Sequence, residues 1–213
     1  MISKYKYILL DVDGVVLSSI NYYLDLFRNV AESLGASKSI PNAFYKKNIG
    51  VKIITWMTNI VPEENHNKIK ELFIAKNRDT LENHRFPIIE GTKETLLKIK
   101  ENNQKPCFIS SKTRESMDSV IKYYKLDSII DFSISGDEVK NFKPDPEGII
   151  KTLKYFNAKS DEAIFVGDSL HDLGAARNAN VRFIGVLSGI CTKSDWELEK
   201  VSYVPSIKEI YTL

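Results

Sequence analysis

The sequence lacks an excess of charge of either sign and has no long apolar run. Thirty lysines and arginines against twenty-eight acidic residues leave a formal net charge of +2, without the dense basic excess typical of nucleic-acid binding. The apolar stretch 7–10 is too short for a signal peptide, and no run approaches the roughly 18 apolar residues that indicate a membrane span. We therefore expect neither nucleic acid nor membrane as a partner.

Cysteine is also scarce. The two cysteines, Cys107 and Cys191, are distant in sequence and form no CxxC pair. They predict free thiols in a reducing cytoplasm rather than a small disulfide scaffold. With 213 residues and 43% hydrophobic residues, the chain is long enough for one sizeable core and a small second domain.

Strands and helices alternate along most of the chain. A first strand is predicted at 5–10, and after Pro87 the pattern predicts further elements: helix 92–101, strand 106–110, helix 113–124, strand 132–135, helix 146–156, strand 163–166, helix 170–178, strand 183–187, strand 201–204 and a helix from residue 206. This alternation indicates an α/β fold with a Rossmann-like parallel sheet and helices on both faces.

A different pattern separates the first strand from the rest. Apolar residues recur at three- and four-residue spacing over 19–34, and Pro41 and Pro62 open two further helical stretches. We therefore predict a core domain formed by 1–18 and 86–213 and a small all-helical domain formed by 19–85, inserted after the first strand. The aromatic residues of this insertion are expected to form its core.

Two acidic residues follow the first strand, in the segment DVDG at 11–14. Because strand side chains alternate, Asp11 and Asp13 point to the same side at the carboxyl end of the strand, where ligands of open α/β sheets bind. A Mg²⁺ ion would relieve their repulsion and neutralise a phosphate. A calcium loop is excluded because its third acidic position is Val15 and a strand precedes it. A polar turn without a ligand is the remaining alternative.

Three further segments follow predicted strands or precede helices. In GDSLHD at 167–172, Asp168 lands at the carboxyl edge of the sheet, and Asp172 lies on the first helical turn, where it could simply interact with the helix dipole. Ser110 and Ser111 end a strand before a helix, where they could hold phosphate oxygens or act as caps. Lys143 precedes a proline that favours an extended backbone, from which its ammonium could reach the acidic cluster.

Four segments resemble, in this order, the motifs of the haloacid dehalogenase superfamily, and the resemblance covers essentially the whole chain. The segments are DVDGVVLSS at 11–19, FISS at 108–111, NFKPDPEG around Lys143 and GDSLHD at 167–172. The resemblance is to its phosphoglycolate-phosphatase-like and β-phosphoglucomutase-like branch. It implies that Asp11 attacks phosphorus and forms an aspartyl-phosphate, and that Asp13 protonates the leaving oxygen and later activates water.

The resemblance also implies a Mg²⁺ ion held by the Asp11 carboxylate, the Asp13 main-chain carbonyl and the Asp168 carboxylate. Ser110 would bind the transferring phosphoryl group, with Gly14 and Ser111 also in contact with substrate. Lys143 would neutralise charge, and Asp172 would orient the metal site or Lys143. In this scheme four carboxylates face three positive charges, from Mg²⁺ and Lys143.

The helical insertion resembles the family's cap, which closes over the site and selects the substrate. Within it, the segment 46–52 resembles the family's Gly-containing specificity loop. We expect Lys46, Lys47 and Gly50 to meet a second anionic group of the substrate, although a solvated charged turn fits the same residues.

The resemblance implies a Mg²⁺-dependent phosphatase for a small phosphorylated metabolite, acting as a monomer or homodimer. A phosphosugar mutase uses the same residues and stays open as an alternative. Dehalogenases and phosphonate hydrolases are disfavoured because they lack the second aspartate, Asp13. A receiver-type signalling domain is disfavoured because it carries its acidic pair and its phospho-acceptor on different strands. A non-catalytic protein is disfavoured because it would be expected to have lost part of the set Asp11, Asp13, Ser110, Lys143 and Asp168.

Overall fold

The computed structural model describes residues 2–83 and 86–213 of the chain. The chain divides into two compact units, one formed by Met1–Ser18 with Pro87–Leu213 and one formed by Ser19–Phe86. We call them the sheet unit and the helical unit. The domain boundary that we predict at residue 85 lies outside the described residues, and the assignment of the units as core and cap stays a prediction.

A parallel sheet organises the sheet unit. Over the described residues its strand order is β3-β2-β1-β4-β5-β6, and all paired strands run parallel. The strands are β1 (Tyr7–Leu10), β2 (Lys105–Ile109), β3 (Phe132–Ile134), β4 (Ala163–Gly167), β5 (Arg182–Val186) and β6 (Tyr203–Val204). Every residue of β1 and β4 is buried, as expected for central parallel strands covered on both faces. The predicted α/β fold class is confirmed.

The register of the central strands determines which loops meet. Leu10, the last residue of β1, lies opposite Phe108 of β2 and Val166 of β4. These three strands therefore end at the same edge of the sheet. The residues that follow each of them are brought together there, although they are far apart in sequence.

Helices connect the strands and form the helical unit. In the described part of the chain they are α1 (Ile20–Ser33), α2 (Asn42–Lys46), α3 (Ile54–Met57), α4 (Ile69–Asn83), α5 (Thr92–Glu101), α6 (Arg114–Tyr123), α7 (Glu147–Tyr155), α8 (Leu170–Asn178) and α9 (Lys193–Leu198). The predictions for α5 and α8 are confirmed to the residue. Within residues 2–83 and 86–213, no helix combines the length and the hydropathy needed to cross a membrane.

The carboxyl-terminal region departs from the prediction. The strand predicted at 201–204 contains only Tyr203–Val204, and the terminal helix is the 3₁₀ helix Ile207–Thr212. The six-residue helix α9 has too little periodicity to be recognised from sequence, although Thr192 and Asp195 form a capping box at its start. Pairing with β5 decides how much of the predicted strand forms.

Aromatic side chains form much of the core of the helical unit. Phe27 of α1 contacts Trp56 of α3 and Phe73 of α4, with ring centroids 5.1 and 5.8 Å apart. Trp56 also lies edge-on to Phe44 and Tyr45 of α2. These contacts hold together helices that are too short to be stable alone.

Trp196 anchors α9 in the core of the sheet unit. Its side chain is fully buried, and its ring lies 5.6 Å from that of Phe183 on β5. Its indole Nε1 donates a hydrogen bond of 3.2 Å to the carbonyl oxygen of Val186. A single side chain thus joins α9 to both the apolar core and the backbone of β5.

We expect Trp196→Ala to lower the free energy of unfolding by about 3–5 kcal/mol, because it leaves a cavity and removes the donor to Val186. Urea denaturation measures this loss. Leu198→Ala is the control from the same helix, since Leu198 is 81% exposed, and it should change stability by less than about 0.5 kcal/mol. Equal effects of the two substitutions would contradict the anchoring role of Trp196.

Candidate active site

Three polar side chains follow the three strands that end together. Asp11 follows β1, Ser110 follows β2 and Asp168 follows β4, and all three are buried. The backbone amide of Asp11 still donates to the carbonyl oxygen of Val166, at 3.0 Å, so β1 and β4 remain paired up to the acidic residue. The sheet therefore holds both carboxylates on rigid backbone.

A tight turn follows Asp11. The amides of Val16 and Leu17 both donate to the carbonyl oxygen of Val12 at 2.9 Å. The amide of Gly14 donates to the carbonyl oxygen of Leu17 at 2.8 Å. Gly14 has a φ of +78°, and a Cβ there would lie 2.2 Å from Asp168 Oδ2. Glycine is thus required both by the backbone conformation and by the close approach of a carboxylate.

Asp11, Asp168 and Asp172 form a buried acidic cluster. Each offers one oxygen, and these oxygens lie within 4.8 Å of one another. Burial raises the pKa of Asp11 to about 7, with Lys143 opposing and the neighbouring carboxylates adding to the shift. Burial, with Asp172 and Asp11 close by, also raises the pKa of Asp168 well above its usual range. Several buried oxygen donors with unbalanced negative charge fit a hard divalent cation such as Mg²⁺.

Lys143 lies between two of these carboxylates. Its Nζ is 2.9 Å from Asp11 Oδ1 and 2.6 Å from Asp172 Oδ1. Burial alone would lower the pKa of Lys143, but the attraction of Asp11 and Asp172 raises it above its ordinary value. Lys143 therefore carries its charge at neutral pH. The structure brings it to the acidic cluster, as the sequence predicts.

Asp172 is fixed by both of its oxygens. Its Oδ2 accepts hydrogen bonds from the hydroxyl of Ser169 at 2.6 Å and from the amides of Asp168 and Ser169, while Oδ1 accepts from Lys143. Burial would raise the pKa of Asp172, but Lys143 and these hydrogen bonds lower it. Asp172 completes the capping box of the N-cap residue Ser169 at the start of α8 and also contacts Lys143, and its role in orienting Lys143 or the metal site stays a prediction.

Three residues with hydroxyl groups, Ser110, Ser111 and Thr113, follow β2 and make different contacts. Thr113 is the N-cap of α6 and accepts a hydrogen bond of 3.2 Å from the amide of Ser116. Ser110 does not cap this helix; its Oγ accepts from the amide of Lys112 at 3.3 Å. Ser111 is half-buried between them. Ser110 therefore stands at the sheet edge with the acidic residues, and its contact with a phosphoryl group stays a prediction.

Lys112 is a site residue that sequence reasoning missed. Its side chain is only 2% exposed, and its Nζ lies 3.0 Å from Asp13 Oδ1. The charge balance made from the sequence counts only Lys143 and omits this second ammonium. The available signal was a lysine directly after the hydroxyl pair Ser110-Ser111, at the start of a capped helix.

The loop after β5 also belongs to the site and was not predicted. The amide of Ile190 donates to Asp168 Oδ2 at 2.9 Å, and the hydroxyl of Ser188 donates to the carbonyl oxygen of Gly14 at 2.6 Å. A Cβ on Gly189 would lie 2.0 Å from Asp168 Oδ2. This loop thus packs directly on the Asp168 carboxylate and ties it to the turn after β1.

The remaining predicted residues lie in the helical unit. Lys46 is the last residue of α2, and the Lys47 ammonium lies 5.4 Å from the centroid of the Phe44 ring. Gly50 is exposed and has a φ of +84°. Their contact with a substrate stays a prediction.

Comparison with known proteins agrees with this geometry. The family model described as haloacid dehalogenase-like hydrolase matches residues 8–186. Pyrophosphatase PpaX of Bacillus cereus is 24% identical over 213 residues, which cover 99% of this chain and 92% of that protein.

Solved structures share the fold over almost the full length. A Bacteroides fragilis protein assigned to the haloacid dehalogenase-like hydrolases has a TM-score of 0.83 and 27% identity, covering 97% of this chain and 100% of that one. β-Phosphoglucomutase from Clostridium difficile has a TM-score of 0.75 and 21% identity, with 97% and 93% covered, a likeness in fold alone.

The family match includes Asp11, Ser110, Lys143, Asp168 and Asp172, whereas the loop that contains Ser188 and Ile190 follows the matched residues. The buried acidic cluster and the lysine between two of its carboxylates lie within the matched residues. The chain therefore belongs to the haloacid dehalogenase-like hydrolases.

Proposed function

We propose that this protein is a Mg²⁺-dependent phosphatase that hydrolyses a small phosphorylated metabolite through an aspartyl-phosphate on Asp11. The observation that carries the proposal is the placement of the buried Asp11 carboxylate, 2.9 Å from the Lys143 ammonium and within 4.8 Å of Asp168. A carboxylate nucleophile beside a fixed cation and a candidate metal ligand is the arrangement that phosphoryl transfer needs.

The reaction proceeds in two displacements. A carboxylate oxygen of Asp11 attacks phosphorus, the bond from phosphorus to the ester oxygen breaks, and Asp13 gives its proton to the departing oxygen. Water then attacks the same phosphorus and gives a proton to Asp13, and the bond from phosphorus to the Asp11 oxygen breaks. This step releases inorganic phosphate and restores the Asp11 carboxylate. Lys143 neutralises charge at Asp11 in both steps, and Ser110 binds a phosphoryl oxygen.

Asp11, Asp168 and the main-chain carbonyl of Asp13 are the proposed Mg²⁺ ligands. Asp172 completes the acidic cluster, but its oxygens are already engaged by Lys143, Ser169 and backbone amides, which suits it to hold its neighbours in place. When bound, Mg²⁺ neutralises negative charge on the carboxylates and the phosphoryl group. The buried, charge-unbalanced oxygens of Asp11 and Asp168 support this assignment.

Inorganic pyrophosphate is a second candidate substrate, favoured by the curated relatives named pyrophosphatase. Its leaving group is phosphate instead of an alcohol, and the same two displacements apply. A phosphosugar mutase is a further alternative, in which the aspartyl-phosphate is returned to a sugar. A requirement for a bisphosphate activator distinguishes the mutase from both hydrolases.

The helical unit is proposed to act as the cap that selects the substrate, with Lys46, Lys47 and Gly50 in the specificity loop. The other proposed catalytic and metal-binding residues lie in the sheet unit. The substrate is a small molecule, and the buried free thiols of Cys107 and Cys191 support action in the reducing cytoplasm.

Asp11→Asn should lower phosphate release by at least about a thousandfold on every substrate, because it removes the nucleophile. The assay measures inorganic phosphate from a panel that contains phosphoglycolate, sugar phosphates and pyrophosphate. Asp161→Asn, at an exposed position, is the control and should leave the rate unchanged. If the native protein releases phosphate from no compound, even with a bisphosphate activator, the proposal is wrong.

Saturating Mg²⁺ should raise the thermal midpoint of the native protein by about 5–10 °C, because the ion binds the folded state alone. Differential scanning fluorimetry with Mg²⁺ or chelator measures the shift. In Asp168→Asn the shift should disappear, whereas the exposed Asp127→Asn should keep it. A shift retained in full by Asp168→Asn would remove Asp168 from the proposed ligands.

Lys46→Ala and Lys47→Ala should each raise KM for a substrate with a second anionic group by about tenfold, while kcat changes little. The reason is that a lysine in the specificity loop contributes binding rather than chemistry. Steady-state kinetics on the best substrate of the panel test this, with the exposed Lys38→Ala as control. KM values equal to that of the native protein in both variants would show that these lysines belong to a solvated turn.

A further inference from the structure

Lys112 has the features of a site residue, but the proposed reaction assigns it no role. Its side chain is 2% exposed, whereas the Asp13 side chain that it contacts is 18% exposed. Burying an ammonium costs considerable free energy unless a partner compensates for lost hydration. The 3.0 Å contact between Nζ and Asp13 Oδ1 supplies that partner.

The backbone around Lys112 is held on both sides. Its amide donates to Ser110 Oγ at 3.3 Å, and its carbonyl oxygen accepts from the amide of Gly136 at 2.6 Å. The next residue, Thr113, caps α6. The Lys112 side chain therefore starts from a fixed point at the sheet edge.

The buried Lys112 and the half-buried Lys143 contact different aspartates. Lys143 binds Asp11 and Asp172, whereas Lys112 binds Asp13. The backbone of Asp11 pairs with β4, whereas Asp13 lies two residues further along, in the turn closed by Gly14, where it bridges to Leu17. The Lys112 ammonium, which comes from another segment, contacts one oxygen of the Asp13 carboxylate and can hold that carboxylate in one direction.

We propose that Lys112 is a positioning residue that aims the Asp13 carboxyl group at the oxygen that leaves phosphorus. This inference rests on the proposed function, since it assigns Lys112 a part in the same reaction. Lys112 exchanges no proton in the reaction. Its ammonium fixes one carboxylate oxygen of Asp13, so that the other is directed to the departing oxygen.

The leaving group separates this role from general attraction of an anionic substrate. The leaving group of an alkyl phosphate is a strongly basic alkoxide, which needs the proton from Asp13. The leaving group of p-nitrophenyl phosphate is a stable phenolate, which needs no proton. Loss of a positioning residue therefore penalises the alkyl ester selectively. Loss of an attracting charge penalises both esters equally.

The experiment compares kcat/KM for ethyl phosphate and p-nitrophenyl phosphate in the native protein, Lys112→Met and Lys112→Arg. This ratio includes steps up to breakage of the ester bond, so slow hydrolysis of the aspartyl-phosphate does not obscure it. We expect Lys112→Met to lower kcat/KM about 10- to 100-fold on ethyl phosphate and less than about threefold on p-nitrophenyl phosphate. Lys112→Arg, which keeps a cation, should recover most of the loss.

Two controls complete the design. Lys140→Met, at an exposed position, should behave as the native protein on both esters. The double variant Asp13→Asn with Lys112→Met should be no slower on ethyl phosphate than Asp13→Asn alone, because a positioning residue acts only through its target.

Each contrary result is distinguishable. Equal losses on both esters in Lys112→Met, or additive losses in the double variant, would overturn the positioning role while the phosphatase proposal stands. If Lys112→Met does not fold, Lys112→Gln replaces it: a loss on ethyl phosphate that is much larger than the loss on p-nitrophenyl phosphate supports the role, and equal losses on both esters or no loss on either overturn it. If the native protein cleaves neither these two esters nor any compound of the substrate panel, both proposals are overturned. If it cleaves only panel compounds, the same comparison is made between its best alkyl phosphate and pyrophosphate, whose leaving phosphate is much less basic than an alkoxide.

Discussion

The ion pairs of Lys143 with Asp11 and Asp172 are the interaction on which the site depends. Three carboxylates lie buried with oxygens within 4.8 Å of one another, and Lys143 contacts two of them. Even so, the pKa of Asp11 is raised to about 7 and that of Asp168 is raised well above its usual range, mainly by burial. A protein retains such an unfavourable cluster where the negative charge is needed for a ligand or a reaction.

Backbone groups hold the same cluster from the other sides. Asp172 accepts from the amides of Asp168 and Ser169, and Asp168 accepts from the amide of Ile190. These donors belong to the ends of β4 and to the loop after β5, so the rigid sheet determines their positions. Oriented groups of this kind stabilise charge without rearranging during a reaction, which is the main electrostatic requirement of phosphoryl transfer.

Reaction chemistry and substrate choice are located in different units under this proposal. The acidic cluster, Ser110, Lys112 and Lys143 belong to the sheet unit, and the proposed specificity loop belongs to the helical unit. Proteins that share this fold carry different names, including a β-phosphoglucomutase, and a relative in sequence is named a pyrophosphatase. The family model over residues 8–186 identifies the family, and the substrate is left to the proposed assays.

Apart from α9, the sequence by itself determined the order of strands and helices, the α/β class and the segments that carry the acidic cluster. Alternation of apolar strands with periodic helices is a local property, so α5 and α8 were predictable to the residue. Short elements such as α9 and β6 were not, because packing of Trp196 and pairing with β5 decide them. Only the tertiary structure decided that Lys112 contacts Asp13 and that the loop containing Ile190 binds Asp168. These partners come from distant segments, which meet because parallel strands end at one edge of the sheet. The local periodicity of the sequence does not predict which side chains contact each other there.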